Sequence, residues 1–267
     1  MSKIIEIVYI VTGSYCEYSK KFFETIKYFA PGTKKIVTIL SNGLEDYKDY
    51  CEGDVIATRY FPIFDLIYPC INLHKNYFIE QLPKTGAEYI FYFDADTIFK
   101  EVPNYNWEKM FSDLDSDYVI ISKHPMYAAK DDFKLCGITK KDWIDNFFTE
   151  NMTEKDETRS GYIPAERYDY LISSFFAANT KVMGILSNRI VLMTRSDLTR
   201  YPRYHIPKFM DENYFNALAY DYTQGIDNDG LKFKVEQYSE LWNGNNNNFD
   251  TAFIYQKNMP DFKKNRR

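Results

Sequence analysis

Apolar residues along the chain fall into short blocks, and the spacing within each block separates strands from helices. Ile4 to Val11, interrupted only by Glu6, predicts a strand, with Thr12-Gly13-Ser14 as the turn after it. From Ser19, residues Phe22, Phe23, Ile26 and Phe29 share one face at helical spacing, and Pro31-Gly32 ends that helix. Lys35 to Leu40 predicts a second strand, closed by Ser41-Asn42-Gly43. This β-α-β opening is Rossmann-like, yet it carries no Gly-x-Gly-x-x-Gly, which argues against a bound dinucleotide. A helix from about Cys70 to Leu82 leads into Tyr89 to Phe93, an unbroken apolar run of the kind that forms a buried parallel strand, with Ile98-Phe99 beyond.

The second half is less regular. Tyr118 to Ser122 predicts a short strand that ends in His124-Pro125. Residues 128–160 are charged and irregular apart from an amphipathic piece near Trp143 to Phe148. Their most polar part, 149–159, fits a solvated loop or a lid ordered by substrate. In Tyr168 to Ala178, Ser173-Ser174 and Ala177-Ala178 flank Phe175-Phe176, a mix of small and aromatic residues that suits a pocket wall. Asp211-Glu212 opens a helix carrying Tyr214, Phe215 and Leu218. Asp211 suits an N-cap there, and Glu212 an acid favoured in the first turn. Trp242-Asn243-Gly244 is expected in a loop, Thr251 to Tyr255 in a last strand, and the chain ends in a basic tail.

Composition changes this picture in three ways. A chain of 267 residues without a Gly/Ser- or Pro-rich linker predicts one large domain spanning 1–267. Aromatics reach 18%, with 24 Tyr and 21 Phe, enough to build a core and still offer stacking surfaces to sugars or bases. A net charge of −5 with no basic stripe argues against nucleic-acid binding. Cys16, Cys51, Cys70 and Cys136 show no metal-type spacing, and no signal peptide or stretch of ~20 apolar residues is visible. The expectation is a cytoplasmic protein with reduced thiols and no transmembrane segment.

The chemistry centres on Asp94 and Asp96, directly after the apolar run. In an open α/β sheet, ligands sit beyond the carboxyl ends of the strands. A strand continuing through both acids would turn them to one face, where two hard oxygen ligands suit Mn²⁺ or Mg²⁺ completed by phosphate. Three readings compete: polar residues closing a strand, the metal-binding Asp-x-Asp of nucleotide-sugar glycosyltransferases, and the Asp-x-Asp-x-Thr of haloacid-dehalogenase-like phosphatases. In the last, Asp94 would be the nucleophile and Asp96 a general acid. That motif sits on the first strand of its domain, whereas Asp94 lies behind a complete β-α-β unit. The later acidic pair it needs finds only Asp131-Asp132, which follows no strand-like run. The transferase reading is preferred, with the phosphatase and a catalytically inactive carbohydrate-binding protein as alternatives.

From Ile10 to Lys257 the order of landmarks resembles glycosyltransferase family 6, the blood-group A/B and α-1,3-galactosyl transferases with their bacterial relatives. Ile10-Val-Thr-Gly-Ser-Tyr15 and the following Phe22 to Phe29 resemble the family's first strand and helix. Asp94-Ala95-Asp96 resembles its metal-binding acids, and His124-Pro125-Met126-Tyr127 its His-Pro-Gly-Phe-Tyr with one residue missing. Ser160-Gly-Tyr-Ile-Pro164 and Tyr170-Leu-Ile-Ser-Ser-Phe-Phe-Ala-Ala178 are similar to Ala-Tyr-Ile-Pro and Gly-Gly-Phe-Phe-Gly-Gly. Phe209-Met-Asp-Glu-Asn213 with Asn216 resembles Trp-His-Asp-Glu-Ser with its following Asn. Leu241-Trp-Asn243 resembles Leu-Trp-Asp, and Lys257 a C-terminal lysine that meets the diphosphate. Ser and Ala stand where the family has donor-site glycines, and Phe209, Met210 and Asn243 replace Trp, His and Asp. The acids are kept where many bacterial relatives carry Asn-x-Asn.

The resemblance implies a GT-A-type α/β fold, with a Rossmann-like nucleotide-binding half (about 1–122) and an acceptor half (about 123–267) on a mixed sheet. It implies a retaining enzyme that moves a hexose from a UDP-sugar to a sugar hydroxyl of a glycan in α linkage, α-1,3 by analogy. Galactose is favoured over N-acetylgalactosamine. Glu212 would be the catalytic carboxylate, while Asp94 and Asp96 hold Mn²⁺ or Mg²⁺. Ile10, Thr12, Tyr15, Lys75, Ala95, Ser173, Ser174, Asp211 and Lys257 would meet the donor, and His124, Phe209, Trp242 and Asn243 the acceptor.

Overall fold

The computed structural model describes residues 2–11, 13–41, 55–60, 71–82, 84–101, 105–123, 134–135, 138–139, 171–200, 211–236, 242–243 and 254–256. The first strand, β1 (Ile4–Val11), runs through a 3₁₀ turn (Gly13–Tyr18) into α1 (Ser19–Thr25). Next come β2 (Lys34–Ser41), β3 (Val55–Tyr60), α2 (Ile71–Glu80) and β4 (Tyr89–Phe93). They are followed by β5 (Thr97–Phe99), α3 (Trp107–Asp115), β6 (Tyr118–Lys123) and a small hairpin of β7 (Lys134–Leu135) and β8 (Ile138–Thr139). The remaining elements are β9 (Leu171–Asn179), α4 (Thr180–Arg200), α5 (Asp211–Thr223), β10 (Lys232–Glu236), β11 (Trp242–Asn243) and β12 (Ile254–Gln256).

Seven strands form one mixed sheet in the order β10-β6-β9-β4-β1-β2-β3. Six of them run parallel; β9 is antiparallel to both its neighbours, β4 and β6. The α/β class is as the sequence predicts, and β3-β2-β1-β4 is the arrangement of a Rossmann-like half. Strands from both sides of residue 122 share this sheet, since β9 and β10 lie beside β6 and β4.

Each face of the sheet is covered, which is why its central strands are largely apolar instead of alternating. On one face Tyr9, Phe91, Phe93 and Phe175 pack against Phe22 of α1, Phe111 of α3 and Phe29, which lies just beyond the 3₁₀ turn (Ile26–Tyr28) where the helix, expected to run to Pro31, stops short. On the other, Ile10, Tyr92 and Phe176 pack with Phe78 of α2, Met183 and Leu186 of α4 and Phe215 of α5. Glu6, the polar interruption in β1, is buried, and its carboxylate accepts from Thr38 Oγ1 at 2.6 Å and Thr85 Oγ1 at 2.7 Å. Those two hydroxyls offset the cost of sinking a carboxylate into the interior. No helix among the described residues is long and apolar enough to cross a membrane.

A second sheet, β11-β12-β5, carries the chain back toward the acids. The strand predicted near 251–255 pairs antiparallel with β5, Gln256 opposite Thr97 and Ile254 opposite Phe99. Trp242-Asn243, expected in a loop, instead forms β11, parallel to β12. Neither residue has the alternating apolar pattern of a strand; the pairing comes from the neighbouring backbone.

Candidate functional site

The sheet order reverses between β1 and β4: from β1 the chain steps outward to β2 and β3, then returns to β4 on the other side. Crevices at such switch points, beyond the carboxyl ends of the strands, are where open α/β sheets bind ligands. The end of β1 leads there into the Gly13–Tyr18 turn, and the end of β4 into the two acids.

The strand does not continue through those acids. It stops at Phe93, and Asp94 to Thr97 form a turn closed by Thr97 N–H donating to the Asp94 carbonyl at 3.1 Å. Strand alternation therefore does not set the acids' directions. Asp and Asn are favoured at the first position of such turns. Asp94 is half-buried, and its Oδ1 accepts from the Tyr92 hydroxyl at 2.8 Å. Asp96 is buried, and its charge acts on Tyr18 at the end of the 3₁₀ turn. Burial, and next the Asp96 charge, push the Tyr18 hydroxyl up to about 12. The turn is also gripped from beneath: the Tyr9 hydroxyl donates to the Ala95 carbonyl at 3.2 Å and sits 3.1 Å from Ser19 Oγ.

The opposite wall comes from an irregularity in β9. Ile121 of β6 pairs with Phe176, but the next residue, Ser122, pairs with Ile172, so Ser173, Ser174 and Phe175 bulge out of that ladder. Bulges are common beside active sites, where they redirect side chains and free backbone groups. Here the freed groups are taken by other elements. The Ser173 N–H donates to Glu212 Oε1 of α5 at 3.3 Å, and Lys75 Nζ of α2 donates to the Ser173 carbonyl at 2.9 Å and Oγ at 3.0 Å. The Ser174 carbonyl accepts from Asp94 N–H at 3.0 Å, tying the bulge to the acid turn. Asn216 anchors α5: its Oδ1 accepts from Leu171 N–H at 2.7 Å, and its Nδ2 donates to the Leu171 and Glu212 carbonyls at 2.9 and 2.8 Å.

Of the predicted site residues, Asp94, Ala95, Asp96, Lys75, Ser173, Ser174 and Glu212 thus meet at one end of the sheet. Ile10 ends up in the core with its side chain 8% exposed, whereas Tyr15 is exposed on the 3₁₀ turn with its ring 5.7 Å from that of Tyr18. Asp211 is the first residue of α5, and Trp242 and Asn243 lie on the strand beside β12. Thr12, His124, Phe209 and Lys257 lie outside the described residues, as do 149–159. Tyr9, Tyr18 and Tyr92 were not among the predicted residues. Tyr9 and Tyr92 are hidden inside the apolar runs of β1 and β4, where a tyrosine ring fits the pattern like any apolar side chain, and Tyr18 sits on the short turn before α1.

Two carboxylates on a rigid turn match the donor set with which Mg²⁺ is commonly held, one or two protein acids plus phosphate oxygens. The Tyr92 hydroxyl supplies the outer hydrogen bond that orients such a ligand. Among the described residues no group of three or more His, Cys, Asp or Glu side chains forms a protein-only metal cage. Set against known proteins, no family model matches the chain, and no curated protein matches it.

Proposed function

We propose that the chain is a retaining hexosyltransferase of GT-A type, which takes its sugar from a UDP-sugar and delivers it to a sugar hydroxyl. The observation that carries this reading is the meeting of the acid turn with Glu212 across the Ser173–Ser174 bulge, at the switch point between β1 and β4. A retaining transfer needs a group that steadies the departing diphosphate and a carboxylate beneath the anomeric carbon. Asp94 and Asp96 would hold Mn²⁺ or Mg²⁺, which when bound offsets the negative charge that grows on the leaving UDP. Glu212 serves as nucleophile in a double displacement, or as charge stabiliser in a same-face exchange. Its hydrogen bond from Ser173 and the Asn216 anchor hold it in one place, which is where much of the rate advantage of an enzyme arises. By the family resemblance Lys257 is proposed to add a cation at the same diphosphate.

The test is a panel of UDP-hexoses offered to the purified protein with and without Mn²⁺. The expected result is UDP release from one donor, lost on chelation and restored by Mn²⁺ or Mg²⁺. Hydrolysis of a generic phosphomonoester would favour the phosphatase, and tight UDP or glycan binding without release would favour a binding protein. Full activity after chelation would remove the metal from the scheme.

A further inference from the structure

Ser173 has three polar groups, and two helices from opposite ends of the sequence take all of them. Its N–H goes to Glu212 Oε1, and its carbonyl and hydroxyl go to Lys75 Nζ. The bulge explains the need, since β6 pairs with the residues on either side and skips this one. Lys75 is 4% exposed, and its ammonium also faces the rings of Tyr92 at 4.7 Å and Phe176 at 5.8 Å. Two of its three N–H donors are spent on a single residue. An ammonium so buried is costly unless its geometry is fixed, and a fixed ammonium in turn fixes what it holds.

We infer that Lys75 is a positioning residue, which sets the Ser173 bulge and through it the Glu212 carboxylate, and that it does not serve as a ligand of the donor diphosphate. The inference rests on Glu212 being the reactive carboxylate of the proposed transfer. Without the ammonium, the Ser173 carbonyl lacks its charged donor and the bulge relaxes. The N–H that orients Glu212 moves with it. Misplacement by about 1 Å is enough to cost ~10² in rate.

The experiment compares Lys75→Met, Glu212→Gln and the double variant for kcat, donor KM and UDP affinity by calorimetry, with amide hydrogen exchange across 171–176. Lys75→Met should lower kcat by roughly 10–100-fold while donor KM and UDP affinity stay within about threefold. Acting through Glu212, it should add almost nothing to the loss in Glu212→Gln, and the Ser173 amide should exchange at least about tenfold faster. A tenfold or greater loss of UDP affinity would make Lys75 a phosphate ligand and overturn the inference, as would losses that multiply in the double variant or unchanged exchange. If the parent protein transfers no sugar at all, the proposed function fails separately, and the exchange measurement alone decides the clamp. Should Lys75→Met not fold, Ser173→Ala removes only the hydroxyl contact. A several-fold loss in kcat with UDP affinity kept would then support the clamp, and an unchanged kcat would overturn it.

Discussion

The most quantitative consequence of the structure concerns Asn216, which is fully buried and stands in for a missing strand. The last residue of β4, Phe93, lies opposite Phe175, so on that side Leu171 to Ser173 have no strand partner among the described residues, while β6 flanks them on the other. Asn216 instead takes both the N–H and the carbonyl of Leu171, at 2.7 and 2.9 Å. In Asn216→Ala those two buried backbone groups lose their partners, at about 1–3 kcal/mol each. The sum is about 2–6 kcal/mol, which for a domain of this size lowers Tm by roughly 5–20 °C. Thermal melting followed by circular dichroism, with a urea titration beside it, measures this directly. Asn216→Asp keeps an acceptor for Leu171 N–H but turns an anionic oxygen toward two carbonyls, so it should fall in the same range. Asn188→Ala removes an exposed bond to Glu80 of 2.8 Å and should shift stability by less than about 0.5 kcal/mol. A Tm within about 2 °C of the parent for Asn216→Ala would refute the view that this side chain completes the sheet.

Glu212→Gln keeps size and removes charge; single-turnover kinetics should show kcat lower by roughly 10² or more with donor binding retained, and a near-parental rate would move the catalytic role to Asp211. Ser173 and Ser174 stand where the family resemblance has glycines lining the donor sugar, so under the proposed transfer their CH₂OH groups narrow the space an acetamido group would need. Competition assays should give a larger kcat/KM for UDP-galactose than for UDP-N-acetylgalactosamine, with Ser174→Gly narrowing the ratio several-fold; the opposite order in the parent refutes the steric argument. Tyr18 holds its proton to about pH 12 in the fold, against about 10 in the unfolded chain. The folded state thus binds more protons between those values, and stability falls as pH rises, by about 1.4 kcal/mol per unit. Urea midpoints at pH 9 and 11 should drop less for Tyr18→Phe than for the parent, and equal drops would remove Tyr18 from the alkaline limb.

The parts of the fold that showed in the sequence are those where one physical rule dominates. β1 and the segment Phe22–Phe29 follow their apolar spacing closely, because β1 is covered on both faces of the sheet and the helical segment buries one face against it. The long helix α4 has Val182, Met183, Leu186, Ile190 and Val191 buried at helical spacing. Buried Ser187 and Thr194 interrupt that stripe, and the Thr194 hydroxyl is absorbed by the Ile190 carbonyl one turn back at 2.8 Å, so a real helix has a broken pattern. For α3 the sign was polar: Asn106 caps it by accepting from Lys109 N–H at 2.9 Å, ahead of Met110, Phe111 and Leu114. In the site, the acids and Glu212 were legible as residue types next to apolar runs. The turn that ends β4 at Phe93 and the bulge at Ser173 were not, because both depend on backbone pairing between segments far apart in sequence. Lys75 was legible only as a nearby cation; its partners, the carbonyl and hydroxyl of Ser173, lie 98 residues away in sequence.

The pairing of β5 with β12 has a consequence in time. The turn that bears Asp94 and Asp96 is braced on one side by β4 and on the other by β5, whose partner strand belongs to residues Ile254–Gln256. A ribosome adding about 5–20 residues per second makes Phe99 wait on the order of ten seconds for Ile254. During that interval the parallel core of β1, β2 and β4 can assemble, while β5 remains an edge with unmet backbone groups. The nascent chain would therefore own a nearly finished scaffold before it owns a finished acid turn. Closure of that turn comes late, as a long loop is drawn shut, and its entropy cost is met only when the rest of the sheet is already in place.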